Sequence, residues 1–416
     1  MRILFASTNL PIVANNGQAI RSLSILRALA AIGHDVTFVS FADRDRPKTL
    51  QPISDYCREI DLLEWRVPIL SQHSDYLGRL ACLIGGKSYS VERFRSPLMQ
   101  DRIQQRLRGG GFDLIVADSL YSLVNIPQTD VPIALNCHNV EHVILDRYAS
   151  IEKSFVKNLY AKIEAHLLRS AEHRGCQRVA LAMVCSNHDR NILHQLSVDL
   201  PIVVVPNAVD IDGYPLHQAD WGSSEIILFQ GGMDWYPNRD AVEFFAKAIL
   251  PLVRVECPNV RFVVAGRNPP ARFVEKFRRN IGIEFTGTVP DMRPYLSAAT
   301  VVVVPLRLGS GTRIKILEAC AMGKPVVSTS VGAEGLELKG EDEILLEDRP
   351  DDFARAVVTL LRDPIRREAM GRSARAVIVE RYSQPVLRNS LDAAIRSLPK
   401  TACRTAVRQP VGSCPN

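Results

Sequence analysis

Residues 305–329 read Pro-Leu-Arg-Leu-Gly-Ser-Gly-Thr-Arg-Ile-Lys-Ile-Leu-Glu-Ala-Cys-Ala-Met-Gly-Lys-Pro-Val-Val-Ser-Thr, and their reading decides the fold of this 416-residue chain. They follow the apolar run Val301–Val304, so the pattern predicts a strand, a glycine-rich loop, a helix and a second strand. Gly309 and Gly311 leave backbone amides approachable where a Cβ would block them. The helix starts directly after the loop, and the unpaired N–H groups and positive dipole end of such a terminus form a seat for phosphate. Arg313 and Lys315 add formal positive charge there. Glu318, further along the helix, is placed to accept hydrogen bonds from a ribose whose phosphates lie at the loop. The chemistry that fits these residues is that of a nucleoside diphosphate.

Composition agrees with a globular protein of about two domains, because one hydrophobic core rarely serves so long a chain. With 46% hydrophobic and 23% charged residues there is material for two cores and no signature of disorder. A net charge of +6 without aromatic-basic interleaving reads as a solvated surface, so no nucleic-acid partner is expected. The nine cysteines are odd in number and lack Cys-x-x-Cys spacing; buried thiols of a reducing compartment are expected, with neither a disulfide framework nor a zinc site. Met1 to Ala6 is too short an apolar run for a signal peptide or a membrane span and reads as a first strand, so a cytoplasmic protein is expected.

Short β-branched runs alternate with helical patterns throughout, the appearance of doubly wound α/β domains. In the first domain, residues 1–212, strands are predicted at Ile3–Ala6, Val36–Ser40, Leu114–Ala117, Ile133–Asn136, Ala182–Cys185 and Ile202–Val205. Helices are predicted at Gln18–Ile32, ending at Gly33, and as one long element over Ile151–Arg174. In the second domain, residues 213–383, strands are predicted at Ile226–Phe229, Phe262–Ala265, Ile283–Phe285, Val301–Val304 and Val326–Ser328, and helices at Ala241–Val255 and Asp351–Leu361. The polar stretch Asp212–Ser224 joins the two domains. A final helix at 384–399 follows Ser383, a candidate N-cap, and residues 400–416 read as a disordered tail. A cleft between two such sheets is where ligand is expected.

The segment Glu318-Ala-Cys-Ala-Met-Gly-Lys-Pro-Val-Val behind its glycine loop resembles the donor-binding segment of retaining GT-B glycosyltransferases, in particular family 4. The resemblance implies two Rossmann-like domains facing across a cleft, with a last helix crossing back to the first domain. It implies transfer of a sugar from a nucleotide-diphosphate sugar to a glycan or lipid-linked acceptor, with no cofactor and no metal. Glu318 matches the glutamate that holds the donor ribose, whereas the acidic residue that the family carries eight positions earlier is Ser310 here.

Other segments extend the likeness. Cys137-His138-Asn139-Val140-Glu141-His142 follows a predicted strand and resembles the family's His-Asn-x-Glu, which implies that His138 faces the donor sugar; its place at a strand end and the resemblance outweigh the alternative of a capping or core histidine. Asn15-Asn16-Gly17-Gln18 resembles the family's glycine-pair loop with Asn16 in place of one glycine, and an ordinary turn explains it as well. Ser186 with Asp189 reads as a helix cap. Val205-Pro206-Asn207-Ala208-Val209-Asp210 resembles a turn that closes the first domain. Gln230-Gly231-Gly232 opens the second domain without the Arg and Lys that many relatives use as a diphosphate clamp, leaving Arg313 and Lys315 as its cations.

The turns at Gly266 and at Gly287-Thr288-Val289 are where the resemblance places the nucleobase. The expected donor contacts are thus Gly17, Gly232, Gly266, Val289, Ser310, Gly311, Thr312 and Glu318, with His138, Arg313 and Lys315 acting on the reaction. Ile314 stands where a dinucleotide fingerprint needs its third glycine, and Gly323-Lys324-Pro325 is no Walker loop, so nicotinamide and P-loop chemistry are disfavoured. Asp43-Arg44-Asp45 reads as surface charge and not as a metal motif. A nucleotide-sugar epimerase and an inactive binding subunit of the same fold remain as alternatives. Lys153, Lys157, Lys162, Arg169, Arg174 and Arg178 outnumber Glu152, Glu164 and Glu172, which gives the long helix a basic face suited to the inner surface of a membrane.

Overall fold

The structure is a computed structural model that describes residues 1–12, 16–42, 50–64, 76–216 and 225–398. The tripeptide Asp43-Arg44-Asp45, Asn15 and the tail from residue 399 lie outside the described residues.

Two parallel sheets form the frame. The first contains β1 (Arg2–Ser7), β2 (Asp35–Ala42), β3 (Glu59–Glu64), β4 (Leu114–Ala117), β5 (Ile133–Asn136), β6 (Leu181–Val184) and β7 (Ile202–Val204) in the order β3-β2-β1-β4-β5-β6-β7. The second contains β8 (Ile226–Gln230), β9 (Arg261–Ala265), β10 (Ile283–Gly287), β11 (Val301–Val304), β12 (Val326–Ser328) and β13 (Leu345–Leu346) in the order β10-β9-β8-β11-β12-β13. Helices cover both faces of such sheets, so their central strands are apolar on both sides; Val301, Val302, Val303 and Val304 are all fully buried. Strand order reverses between β1 and β4 in one sheet and between β8 and β11 in the other. Chain reversal at these points opens a crevice at the strand C-termini, and ligands of α/β sheets bind there.

Several sequence expectations need correction. The long helix predicted at Ile151–Arg174 runs from Phe155 to Cys176, and Ile151 instead ends a separate helix, Glu141–Ile151, that was not predicted. Glu152 closes the break by accepting from the backbone N–H of Ser154 at 2.8 Å and the hydroxyl of Tyr148 at 2.5 Å. Strand β3, whose acidic residues Glu59, Asp61 and Glu64 hid it from an apolar-run reading, adds an edge to the first sheet. Asn16 is a helix cap, its side chain accepting from Ala19 N–H at 2.8 Å at the head of helix Gly17–Ala31. Ser186 also caps, accepting from Asp189 N–H at 3.1 Å.

The last helix, Gln384–Arg396, places Leu387, Leu391, Ala394 and Ile395 in the core formed by Ile3, Phe5, Leu26 and Leu29, so the end of the chain packs on the first sheet. Ser383 precedes it, but its hydroxyl makes no capping hydrogen bond. All seven cysteines among the described residues are free thiols.

Candidate functional site

The two switch points face one another. Helix Gly17–Ala31 follows β1, helix Ile314–Ala321 follows the loop after β11, and a Cβ on Gly17 would stand 3.8 Å from Cδ1 of Ile314. Two helix N-termini, each with outward N–H groups, therefore converge on one crevice.

Lys315 and Glu318 lie one helical turn apart beside that crevice. The Lys315 ammonium donates to Asn238 Oδ1 at 2.9 Å and stands 4.3 Å from the centre of the Phe229 ring. Burial, with the charge of Arg313 nearby, pushes its pKa down to about 7, and Glu318 pulls the other way. Glu318 accepts from the Tyr214 hydroxyl at 2.7 Å and from Gln230 Nε2 at 2.6 Å, while burial holds its carboxyl above the usual carboxylate range. Both partners are neutral donors, the kind of group that ribose hydroxyls replace. Tyr214, in the join between the domains, and Gln230, at the end of β8, were not assigned roles from sequence.

The remaining loop residues hold the loop itself together and against the first domain. Arg313 is buried and turns back on its own loop, donating to the carbonyl oxygens of Ser310 and Gly311 (2.6 Å to the latter), so its guanidinium buttresses the loop and does not face the crevice. Desolvation lowers its pKa to about 10. The Ser310 hydroxyl accepts from Val140 N–H at 3.1 Å, and Thr312 Oγ1 accepts from Asn207 Nδ2 at 2.7 Å, both across the two domains. Gly311, at φ 73°, presses on the first domain so closely that a Cβ would stand 2.5 Å from the His138 carbonyl oxygen. These residues seat the loop against the first domain. Arg147 strengthens the seat by pairing with Glu334 at 2.5 Å and donating to the carbonyl of Gly309. Gly311→Ala is accordingly expected to unseat the loop and to lower kcat/KM by more than about tenfold, read by steady-state kinetics, since neither the space nor the left-handed φ admits a side chain.

Two glycines also serve packing. A Cβ on Gly266 would stand 2.1 Å from the Gly231 carbonyl oxygen, so its bareness lets the turns after β8 and β9 nest together. At Gly232 a Cβ would meet Asp234 Oδ1 at 2.6 Å, beside the Asp234–Arg267 ion pair of 3.0 Å. Val289, half-buried, follows the edge strand β10, two strands from the switch point.

His138 follows β5 on the first domain's side. Its Nε2 lies 3.0 Å from both Oδ1 and the backbone oxygen of Asp118, and its Nδ1, buried, has no hydrogen-bond partner among the described residues. Its neighbour in sequence, His142, pairs instead with Glu172 at 2.5 Å and is part of the core.

Comparison with known proteins now gives the class. Residues 15–212 match the family model of Glycosyltransferase Family 4 and residues 224–363 that of Glycosyl transferases group 1. The chain belongs to this family, and its chemistry is the transfer of sugars. A protein of Klebsiella pneumoniae described as an uncharacterized 44.6 kDa protein in the cps region is 21% identical over 94% of this chain and 98% of its own length. The alpha-D-kanosaminyltransferase of Streptomyces kanamyceticus is 25% identical over 76% of this chain and 84% of its own. Among solved structures, sucrose-phosphate synthase of Thermosynechococcus elongatus superposes with a TM-score of 0.73 at 18% identity, covering 96% of this chain and 99% of that one. Anabaena HepE, in complex with UDP and glucose, superposes with a TM-score of 0.66 at 15% identity over 96% of this chain and all of its own. The fold is GT-B. No helix among the described residues is long and apolar enough to cross a membrane.

Proposed function

We propose that this protein transfers a hexosyl group from a nucleoside-diphosphate sugar to a glycan or lipid-linked acceptor in polysaccharide or glycoconjugate synthesis, with retention of configuration and without a metal. The observation that carries the reading is the placement of Lys315 and Glu318 one turn apart on the helix whose N-terminus opens at the switch point. Glu318 would hold the ribose; Lys315 and the helix amides would hold the diphosphate. As the bond from the anomeric carbon to the phosphate oxygen breaks, its electron pair goes to the diphosphate, where a fixed cation stabilises the developing charge. The acceptor hydroxyl bonds to the anomeric carbon from the same side, and its proton passes to the leaving phosphate oxygen. His138 would orient the sugar through its free Nδ1. Incubation with UDP-, GDP- and ADP-sugars tests the reading: nucleoside diphosphate is released, the new linkage keeps the donor's anomeric configuration, and chelation with EDTA leaves the rate within about twofold. Absence of release with every donor, or a rate abolished by EDTA and restored by a divalent ion, contradicts it.

A specific surface also favours an acceptor at a membrane. In helix Phe155–Cys176, Phe155, Val156, Leu159 and Ile163 are exposed on the side opposite the buried Ala161, Ala165 and Leu168. The neighbouring helix Tyr76–Ile84 buries no residue and exposes Leu77, Leu80 and Ile84; Arg79 binds it to Tyr160, 5.5 Å from the ring centre. Lys153, Lys157, Lys162 and Arg169 are exposed around these apolar residues, whereas the one carboxylate between them, Glu164, is buried against Ser88 at 2.7 Å. Apolar side chains ringed by cations suit an anionic bilayer surface. Sedimentation with phosphatidylglycerol vesicles is expected at low salt, with loss in Leu80→Glu/Leu159→Glu; binding unchanged in that variant would remove the surface from the account.

A further inference from the structure

Resting on the reading of His138 as a sugar contact, we infer that Asp118 is a positioning residue that fixes the tautomer of His138, within a buried hydrogen-bonded frame that also seats the second domain's loop.

The frame is continuous. Asp118, fully buried after β4, accepts from the hydroxyls of Ser7 at 2.8 Å and Ser22 at 2.6 Å, from Asn136 Nδ2 at 2.8 Å and from His138 Nε2 at 3.0 Å. The other end of the Asn136 amide accepts from Arg21 Nε at 2.9 Å, which fixes which way that amide points. Arg21, the largest of the fully buried side chains, continues to the Val205 carbonyl at 2.8 Å and to Asn207 Oδ1 at 3.1 Å. The amide nitrogen of Asn207 then reaches Thr312 across the domain boundary at 2.7 Å. Four side chains, those of Asp118, Asn136, Arg21 and Asn207, thus link the imidazole to Thr312 of the donor loop.

The chemistry of the frame dictates the proton on His138. Nε2 faces the carboxylate oxygen and the backbone oxygen of Asp118, both acceptors, so Nε2 must carry the hydrogen. Nδ1 is then a bare lone pair in a side chain that is 92% buried on a side-chain exposure of 8%. A buried acceptor without a donor is costly, and buried polar groups are almost always satisfied. At a site between two helix N-termini, a hydroxyl of the donor sugar is the donor that completes it. Asp118 therefore acts through His138, and Thr312 reports through Arg21 and Asn207 whether the loop is seated.

The test has a spectroscopic and a kinetic arm. In 15N-histidine-labelled protein, with His138→Gln to assign the signal, the His138 imidazole is expected as the Nε2-protonated tautomer. Asp118→Ala keeps the backbone oxygen of residue 118 but removes the carboxylate acceptor, so a minor Nδ1-protonated population is expected to appear and kcat to fall roughly tenfold, about the worth of one hydrogen bond, with donor KM within about twofold. Asp118→Asn is expected to restore the tautomer and most of kcat. Asn136, held by Arg21, selects the oxygen end of the new amide for His138, and the serine hydroxyls can turn to accept from its nitrogen. Thr312→Val is expected to raise donor KM, and its effect should be non-additive with Asp118→Ala. An Nδ1-protonated His138 in the wild type, equal losses in the alanine and asparagine variants, or strict additivity overturns the inference. The spectrum needs no turnover, so it decides the tautomer even if no sugar nucleotide proves to be a donor.

Discussion

Lys315→Met is expected to lower turnover by about two to three orders of magnitude, the range seen when one preorganised charge is removed from a developing anion. Methionine keeps the apolar stem beside Phe229 and removes only the cation that lies between Asn238 and the crevice. The effect should fall on kcat more than on donor KM, because charge builds on the diphosphate as the sugar departs. Titration gives the same prediction a second readout. Folding lowers the Lys315 pKa from 10.5 to about 7. Between those values the unfolded chain binds more protons than the folded one, so the ligand-free protein gains stability as pH rises through that window; below pH 7 both states are protonated and the dependence ends. Denaturant titrations at pH 7 and pH 9.5 should show a larger rise in the wild type than in the methionine variant, which keeps the contribution of the other buried lysine, Lys324, whose pKa burial lowers to about 8. A nucleoside diphosphate reverses the preference by favouring the ammonium, so its binding near pH 8 should take up a proton, visible as a calorimetric heat that varies with the buffer's ionisation enthalpy.

Glu318→Ala is the second large effect. It removes the acceptor shared by Tyr214 and Gln230 and leaves both donors unsatisfied in the crevice wall. Loss of a carboxylate that receives two ribose hydroxyls corresponds to about 1.5–3 kcal/mol, or some ten- to hundredfold in affinity for nucleoside diphosphates. The same change removes the charge that favours protonation of Lys315, so the variant is expected to lose turnover beyond what the ribose contact explains. Glu318→Gln separates the two effects: it keeps an acceptor and loses the charge.

Legibility in the sequence followed the range of the interactions. Buried parallel strands announce themselves as apolar runs, and Val301–Val304 with the loop behind it placed Lys315 and Glu318 on one helix, as found. β3 escaped because its Glu59 and Asp61 bind Arg106 from another element, an arrangement that a local pattern does not contain. Arg313 was expected to face the phosphates because spacing reveals a charge but not the direction of its guanidinium; three residues back lay the carbonyl that it holds. Ser310, Gly311 and Thr312 were expected to touch donor; the contacts that the sequence did not show, to Val140, His138 and Asn207, lie more than a hundred residues earlier and belong to the other domain. Asp118 and Arg21 went unnoticed for the same reason: each is a polar residue in an apolar setting whose partners are brought together only by the sheet.

The central claim, that a nucleoside diphosphate sits on the Lys315–Glu318 helix between the two sheets, is tested most directly by thermal unfolding of wild type and Glu318→Ala with UDP, GDP and ADP. The account predicts that one nucleotide raises the melting temperature of the wild type in a concentration-dependent way and that the variant loses most of the rise. An equal rise in both proteins would place the nucleotide elsewhere, and no rise with any of the three would contradict the claim.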